Sequence, residues 1–214
     1  MHNILPNIDL DSNYFSHTFS GGLTNDSYFD FKTFNNKFTD NHDSHFKLIH
    51  VNIRSLPRNG NLFVAYLENL RQKFSAICLS ETWLNSERSM EDIFPDYYQY
   101  HSMRPSNQHF GGGVAVLIHK SFHSFELTDL TCNDDSTECI FVKVTKSGEE
   151  VIVGCCYRKP DHSNYMSFIS TLSNKILSLN SNCKLIVAGD FNFNLLQINN
   201  DTGVCTFVHS LFLC

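Results

Sequence analysis

The run Leu185-Ile186-Val187-Ala188, closed by Gly189-Asp190-Phe191-Asn192, most constrains what this chain can fold into. Consecutive short apolar residues with β-branched members read as a strand buried in a sheet. Gly189 ends the run and permits a sharp turn. Asp190 and Asn192 then stand where a rigid strand gives way to a loop, the place where chemistry usually sits. A carboxylate there serves proton transfer or a hard cation. An amide offers a neutral donor and acceptor for a phosphate oxygen. Read alone, the same residues describe equally well a polar turn after a core strand.

The pattern recurs upstream. Residues 46–53 read as a strand by their β-branched and apolar content, and residues 54–60 as a turn-rich loop. Phe63, Tyr66, Leu67 and Leu70 recur at helical spacing and predict an amphipathic helix over 61–73. Residues 75–80 are a second buried strand, which completes a βαβ-like start. A glycine turn feeds a strand over 111–118, and 138–144 with 150–157 form a hairpin about Gly148. Tyr165, Phe168, Ile169, Leu172, Ile176, Leu177 and Leu179 trace a helix from about 163 to 179 that leads back to the Lys184 strand.

Two more strand ends carry chemistry-bearing groups. Glu81 follows the 75–80 strand directly, and Asn52 lies near the end of the first strand. A poorly solvated carboxylate wants a cation or a hydrogen-bond donor. Magnesium suits such a position, because it takes oxygen ligands and keeps waters for a substrate phosphate. Tyr157 closes the hairpin and can donate its phenolic proton to a phosphate oxygen, with Arg158 or Lys159 adding charge. Each residue alone is more simply a solvated loop group or an edge-strand aromatic. Three polar residues at strand ends, two of them carboxylates, argue together for a site. His50, His101, His109, His119 and His162 do not cluster at ligand spacing and read as surface or packing residues.

Composition sets the frame. With 214 residues, 42% of them hydrophobic, the chain has material for one sizeable domain and a tail. The net charge of −6 argues against tight binding of nucleic acid through a basic face, although a divalent cation would still recruit phosphate to an acidic site. None of the eight cysteines is spaced as C-x-x-C, and several sit in apolar runs as small core residues. The expectation is an intracellular protein of the nucleus or cytoplasm, not secreted. No apolar run is long enough to span a bilayer, so no membrane partner is expected, and no obligate protein partner is evident. Residues 1–44 carry six Asp and two Lys, and their phenylalanines follow no clean period. They read as a low-complexity, disordered or loosely attached leader before a domain at 45–214.

Val51-Asn52-Ile53, Leu79-Ser80-Glu81-Thr82-Trp83, Tyr157-Arg158-Lys159-Pro160 and Gly189-Asp190-Phe191-Asn192 occur in the order seen in the endonuclease/exonuclease/phosphatase superfamily. From about Phe46 onward the chain most resembles the apurinic-endonuclease-like domain of non-LTR retrotransposons. The glycine-led strand at 111–118 and Glu138 ahead of an apolar strand are also usual in that group. The resemblance implies a four-layer α/β sandwich of two mainly antiparallel sheets flanked by helices. It implies Mg²⁺-dependent phosphodiester hydrolysis of DNA, with Mn²⁺ as an alternative ion. By the same resemblance Glu81 would bind the metal and Asn52 would support the site. Tyr157 would contact phosphate, Asp190 would orient or deprotonate the attacking water, and Asn192 would hold a phosphate oxygen.

The chain departs from the pattern at two places. Arg54 stands where many members put an acidic residue, which removes one metal ligand. The usual closing Ser-Asp-His segment is absent, and His209 lies in a different context and is not given its role. The expectation is a domain lacking its last strands and inactive as given. The alternatives are a non-catalytic retroelement remnant or binding fragment, and a phosphatase or phosphodiesterase acting on a small phosphorylated substrate or lipid.

Overall fold

The structure, a computed structural model, describes residues 29–38, 45–84, 92–102, 111–134, 137–160, 165–179 and 183–192. Among the described residues nine strands form two sheets. β1 (Leu48–Asn52), β2 (Ala76–Ser80), β3 (Tyr97–Ser102) and β4 (Val114–His119) make the first, in the order β1-β2-β4-β3. β5 (His123–Glu126), β6 (Cys132–Asn133), β7 (Thr137–Lys146), β8 (Glu149–Arg158) and β9 (Lys184–Asp190) make the second, in the order β5-β7-β8-β9 with β6 on β7. β1 runs parallel to β2 and β9 parallel to β8; every other pair is antiparallel.

Side chains alternate across a strand, so each apolar strand feeds two interfaces. Ala76, Cys78, Val114, Val116 and Ile118 of the first sheet meet Ile140, Val142, Val144, Val153 and Cys155 of the second in one buried cluster. The intervening Ile77, Leu79, Ala115 and Leu117 face outward onto helix α2 (Leu56–Leu70) through Leu56, Phe63 and Leu70. On the other outer face Cys139, Phe141, Ile152 and Cys156 meet Phe168, Ile169, Leu172 and Ile176 of helix α3 (Tyr165–Leu177). Helix, sheet, sheet and helix make the four-layer α/β sandwich that the motifs implied.

Several local expectations change. Residues 54–60 are not all loop, because α2 begins at Leu56. Pro57 sits in its first turn, where a missing N–H leaves no hydrogen bond unmade. Part of the supposed leader is attached: Phe31–Lys37 form helix α1, capped by the Asp30 carboxylate accepting the Thr33 N–H at 2.7 Å. Phe31 and Phe34, one turn apart, pack on the α2 cluster, and Asn35 Nδ2 donates to the Asn69 carbonyl at 2.8 Å. Residues 1–28 and 39–44 lie outside the described residues, as do the 193–214 that hold His209. β3, with its Tyr-Tyr-Gln-Tyr-His-Ser sequence, lacks the apolar run that would announce it. β9 is half-buried rather than buried, since among the described residues only β8 flanks it.

Candidate active site

Strand register builds the site. The parallel β1–β2 pair sets Asn52 opposite Ser80, so Glu81 leaves β2 beside the end of β1. In the second sheet one row carries Asn133, Glu138, Tyr157 and Asp190 across β6, β7, β8 and β9. Asn52 then joins the sheets. Its Nδ2 donates one hydrogen bond to Glu81 Oε1 and another to Asp190 Oδ2, each 2.8 Å long. An amide nitrogen has two hydrogens, so one residue holds two carboxylates side by side with no shared proton. The Arg54 N–H donates to Asn52 Oδ1 at 3.2 Å, which keeps the amide turned that way. An aspartate could not do this, having no donor when ionised.

The loops that present these groups are tense. Arg54, Ser55, Glu81, Trp83 and Asn192 all have left-handed backbone, with φ of 44°, 82°, 54°, 53° and 51°. Such conformations persist only where surrounding bonds enforce them, and they gather at functional sites. Here the Ser55 and Leu56 N–H groups donate to the Glu81 and Thr82 carbonyls at 2.9 Å. The Thr82 and Trp83 N–H groups donate to the Gly113 and Gly112 carbonyls at 3.1 and 2.9 Å. Gly113 N–H in turn donates to the buried Glu138 carboxylate, which ties the glycine loop to the second sheet. A Cβ on Gly113, whose φ is +86°, would stand 2.5 Å from Thr82 Oγ1.

On the Asp190 side the Asn192 N–H donates to Asp190 Oδ1 at 3.2 Å, closing a local turn on the carboxylate. Arg158 is 2% exposed and does not offer its charge to solvent. Its Nε and Nη2 donate to the Phe191 and Asn192 carbonyls at 2.8 and 2.6 Å, while Asn192 Nδ2 donates back to the Arg158 carbonyl. The guanidinium therefore shapes the loop that carries Asp190 and Asn192. Tyr157 is buried beside Asp190 in the row described above. The structure thus brings Asn52, Glu81 and Asp190 into direct contact, with Tyr157 and Asn192 adjoining Asp190.

His50 is the residue that sequence reasoning undervalued. It points to the same face as Asn52, two residues on, and its Nε2 lies 3.1 Å from Ser80 Oγ. Burial pushes its pKa down to about 4, with the Asp190 charge pulling the other way. The i, i+2 spacing to Asn52 was the available signal. A half-buried neutral histidine must be charged as acid unfolds the protein. The unfolded chain takes up a proton below about pH 6.5 and the folded chain does not, so this contribution to stability is lost as pH falls towards 4. The expected loss is at most about 3 kcal/mol. His50→Gln should flatten that part of the profile, and urea unfolding at pH 7, 5 and 4 measures it. An unchanged slope would show that His50 does not titrate there.

The donor set suits one hard cation. Glu81 and Asp190 supply carboxylate oxygens, and among the described residues no group of three His, Cys, Asp or Glu side chains forms a closed cage. Two carboxylates are the oxygen donors that a hard divalent cation takes. A cavity of about 530 Å³ opens beside Phe46, Phe122, Val144 and Lys184, at the opposite strand ends. The carboxylate pair lies at the other strand ends, away from that cavity.

A sequence model described as "Endonuclease/Exonuclease/phosphatase family" matches residues 49–203. Among solved structures, the endonuclease domain of TRAS1, a telomere-specific non-LTR retrotransposon, is 13% identical with a TM-score of 0.58, over 78% of this chain and 70% of that one. D. rerio TDP2 complexed with single strand DNA product is 17% identical with a TM-score of 0.55, over 74% and 65%. The Bacteroides thetaiotaomicron mannosyl-6-phosphatase Bt3783 is 14% identical with a TM-score of 0.55, over 77% and 70%. At these identities the likeness is one of fold. No curated protein matches in sequence.

Proposed function

The chain belongs to the endonuclease/exonuclease/phosphatase family, whose members generally use divalent metal ions, and we propose that its site serves Mg²⁺-dependent hydrolysis of phosphodiester bonds in DNA. The observation that carries the reading is the Asn52 amide bridging Glu81 and Asp190 at one strand-end surface. Glu81 would hold the metal, since among the described residues its second oxygen has no hydrogen-bond partner. A bound Mg²⁺ supplies neutralisation of charge on the phosphate.

The chain's own groups do the rest. Asp190, aimed from both sides by Asn52 and the Asn192 N–H, orients the attacking water and takes its proton. Asn52 keeps the two carboxylates from sharing that proton. Tyr157 lies beside Asp190 as a donor to a phosphate oxygen, and the outer hydrogen of the Asn192 amide is a second one. The likeness to the endonuclease domain of a retrotransposon and to TDP2 complexed with single strand DNA product supports DNA as the substrate.

Residues 1–214 contain no Ser-Asp-His run. Losing one member of a concerted set costs nearly as much as losing several, and an acid/base group alone is worth about 10²–10⁴ in rate. With Mg²⁺, residues 1–214 should therefore give no detectable nicking of supercoiled plasmid. The same chain extended by the Ser-Asp-His segment of a retrotransposon endonuclease should nick, and Asp190→Ala should abolish it. An extended chain that folds without nicking would overturn the proposed reaction.

A further inference from the structure

Trp83 is the only tryptophan of the chain, and it is 40% exposed. It stands two residues beyond Glu81, so their Cα atoms are at most about 7.6 Å apart. A large aromatic on left-handed backbone, φ 53°, is uncommon and needs enforcement. The enforcement is the Gly112 carbonyl, which accepts the Trp83 N–H at 2.9 Å. Gly111, Gly112 and Gly113 are left-handed and run along the Trp83 backbone, and a Cβ added to Gly111 would stand 3.7 Å from the indole Nε1. The fold thus fixes the backbone under this ring while leaving much of the ring in water. Arg54 is exposed, and its neighbour Ser55 is bonded through its N–H to the Glu81 carbonyl.

An exposed cation and an exposed aromatic, both within two residues of a segment that carries the site, are the combination that grips unpaired nucleic acid, where charge follows the backbone and rings stack on bases. We propose that Trp83 is a stacking platform for an unpaired base of the DNA strand whose phosphodiester lies at Glu81 and Asp190. The proposal rests on the DNA reading above and deepens it. It also answers a difficulty raised by the net charge of −6, which gives little general attraction for DNA. Stacking of one base on an aromatic side chain is worth roughly 5- to 150-fold in affinity.

The single tryptophan makes the test direct. Its emission is followed in the wild-type chain with Mg²⁺ present, under which residues 1–214 should leave DNA uncut, while a short mixed-sequence single strand, the blunt duplex of the same sequence, or inorganic phosphate is added. The single strand should quench in a saturable way, the duplex much less, and phosphate not at all. Anisotropy of a labelled strand should show Trp83→Ala binding about 5- to 150-fold more weakly and Trp83→Phe close to wild type. Binding without a change in emission, equal quenching by the duplex, no binding of the single strand, or undiminished affinity in Trp83→Ala would each overturn the proposal. Quenching without nicking by the extended chain would leave stacking intact and remove the hydrolytic reading; nicking without quenching would do the reverse.

Discussion

Gly189→Ala should destabilise the protein by about 3 kcal/mol or more. Gly189 lies opposite Cys156 in the parallel β8–β9 pair. A Cβ there would overlap the Cys156 carbonyl oxygen and stand 2.8 Å from its carbon. Backbone cannot yield as a flexible side chain can, so β9 would have to move away by more than an ångström. That movement weakens the ladder from Val151–Lys184 to Tyr157–Asp190, and it carries Asp190 away from Asn52. Gly148→Ala is the control. Its φ is +85° but nothing lies within 4 Å of the added carbon. It should cost only about 1 kcal/mol, the usual penalty of left-handed backbone. Urea unfolding of both variants measures the difference; equal losses would mean that β9 does not approach β8 as closely as described.

Asn52→Asp should have the second largest effect. The change removes the donor shared by Glu81 and Asp190 and places a third carboxylate between them. Like charges at hydrogen-bond distance raise at least one folded-state pKa well above its unfolded value. The expected penalty at pH 7 is about 2–4 kcal/mol. Its sign is fixed by linkage. The raised group is neutral in the folded state at low pH, so the penalty is present at neutral pH and shrinks as pH falls through the folded pKa. Mg²⁺ should relieve it too, and should raise the melting temperature of the variant more than that of wild type. A variant with the same deficit at pH 7 and pH 4.5, and no response to Mg²⁺, would mean that the three groups are not in contact.

How far the site could be read from the chain depends on what kind of information each residue needed. β2 and the β7–β8 hairpin were legible because apolar runs report strands buried on both faces. Asn52, Glu81 and Asp190 were legible as polar residues at strand ends, but not their contact. That contact joins residues 138 positions apart and depends on register in two separate sheets. Arg158 was read as a free charge because Tyr-Arg-Lys-Pro looks like an exposed corner. Its burial follows from the loop after β9 folding back over β8, which no local pattern announces. Helix α1 was hidden by a polar, aperiodic neighbourhood; only its Phe31 and Phe34 spacing and the Asp30 cap mark it. His50 was set aside because histidines were judged by metal-ligand clustering. Its two-residue offset from Asn52, which puts both on one strand face, was the better clue.

The central claim is that Asn52 holds Glu81, which would bind the divalent cation, beside Asp190, which would take the proton of the attacking water. Titration calorimetry of the wild-type chain with Mg²⁺ at pH 7, beside Glu81→Ala and Glu81→Gln, tests it most directly. The account predicts weak binding by wild type, none by Glu81→Ala, and little by Glu81→Gln, which keeps the shape but loses the charge. Mg²⁺ binding of equal strength and heat in all three proteins would contradict it.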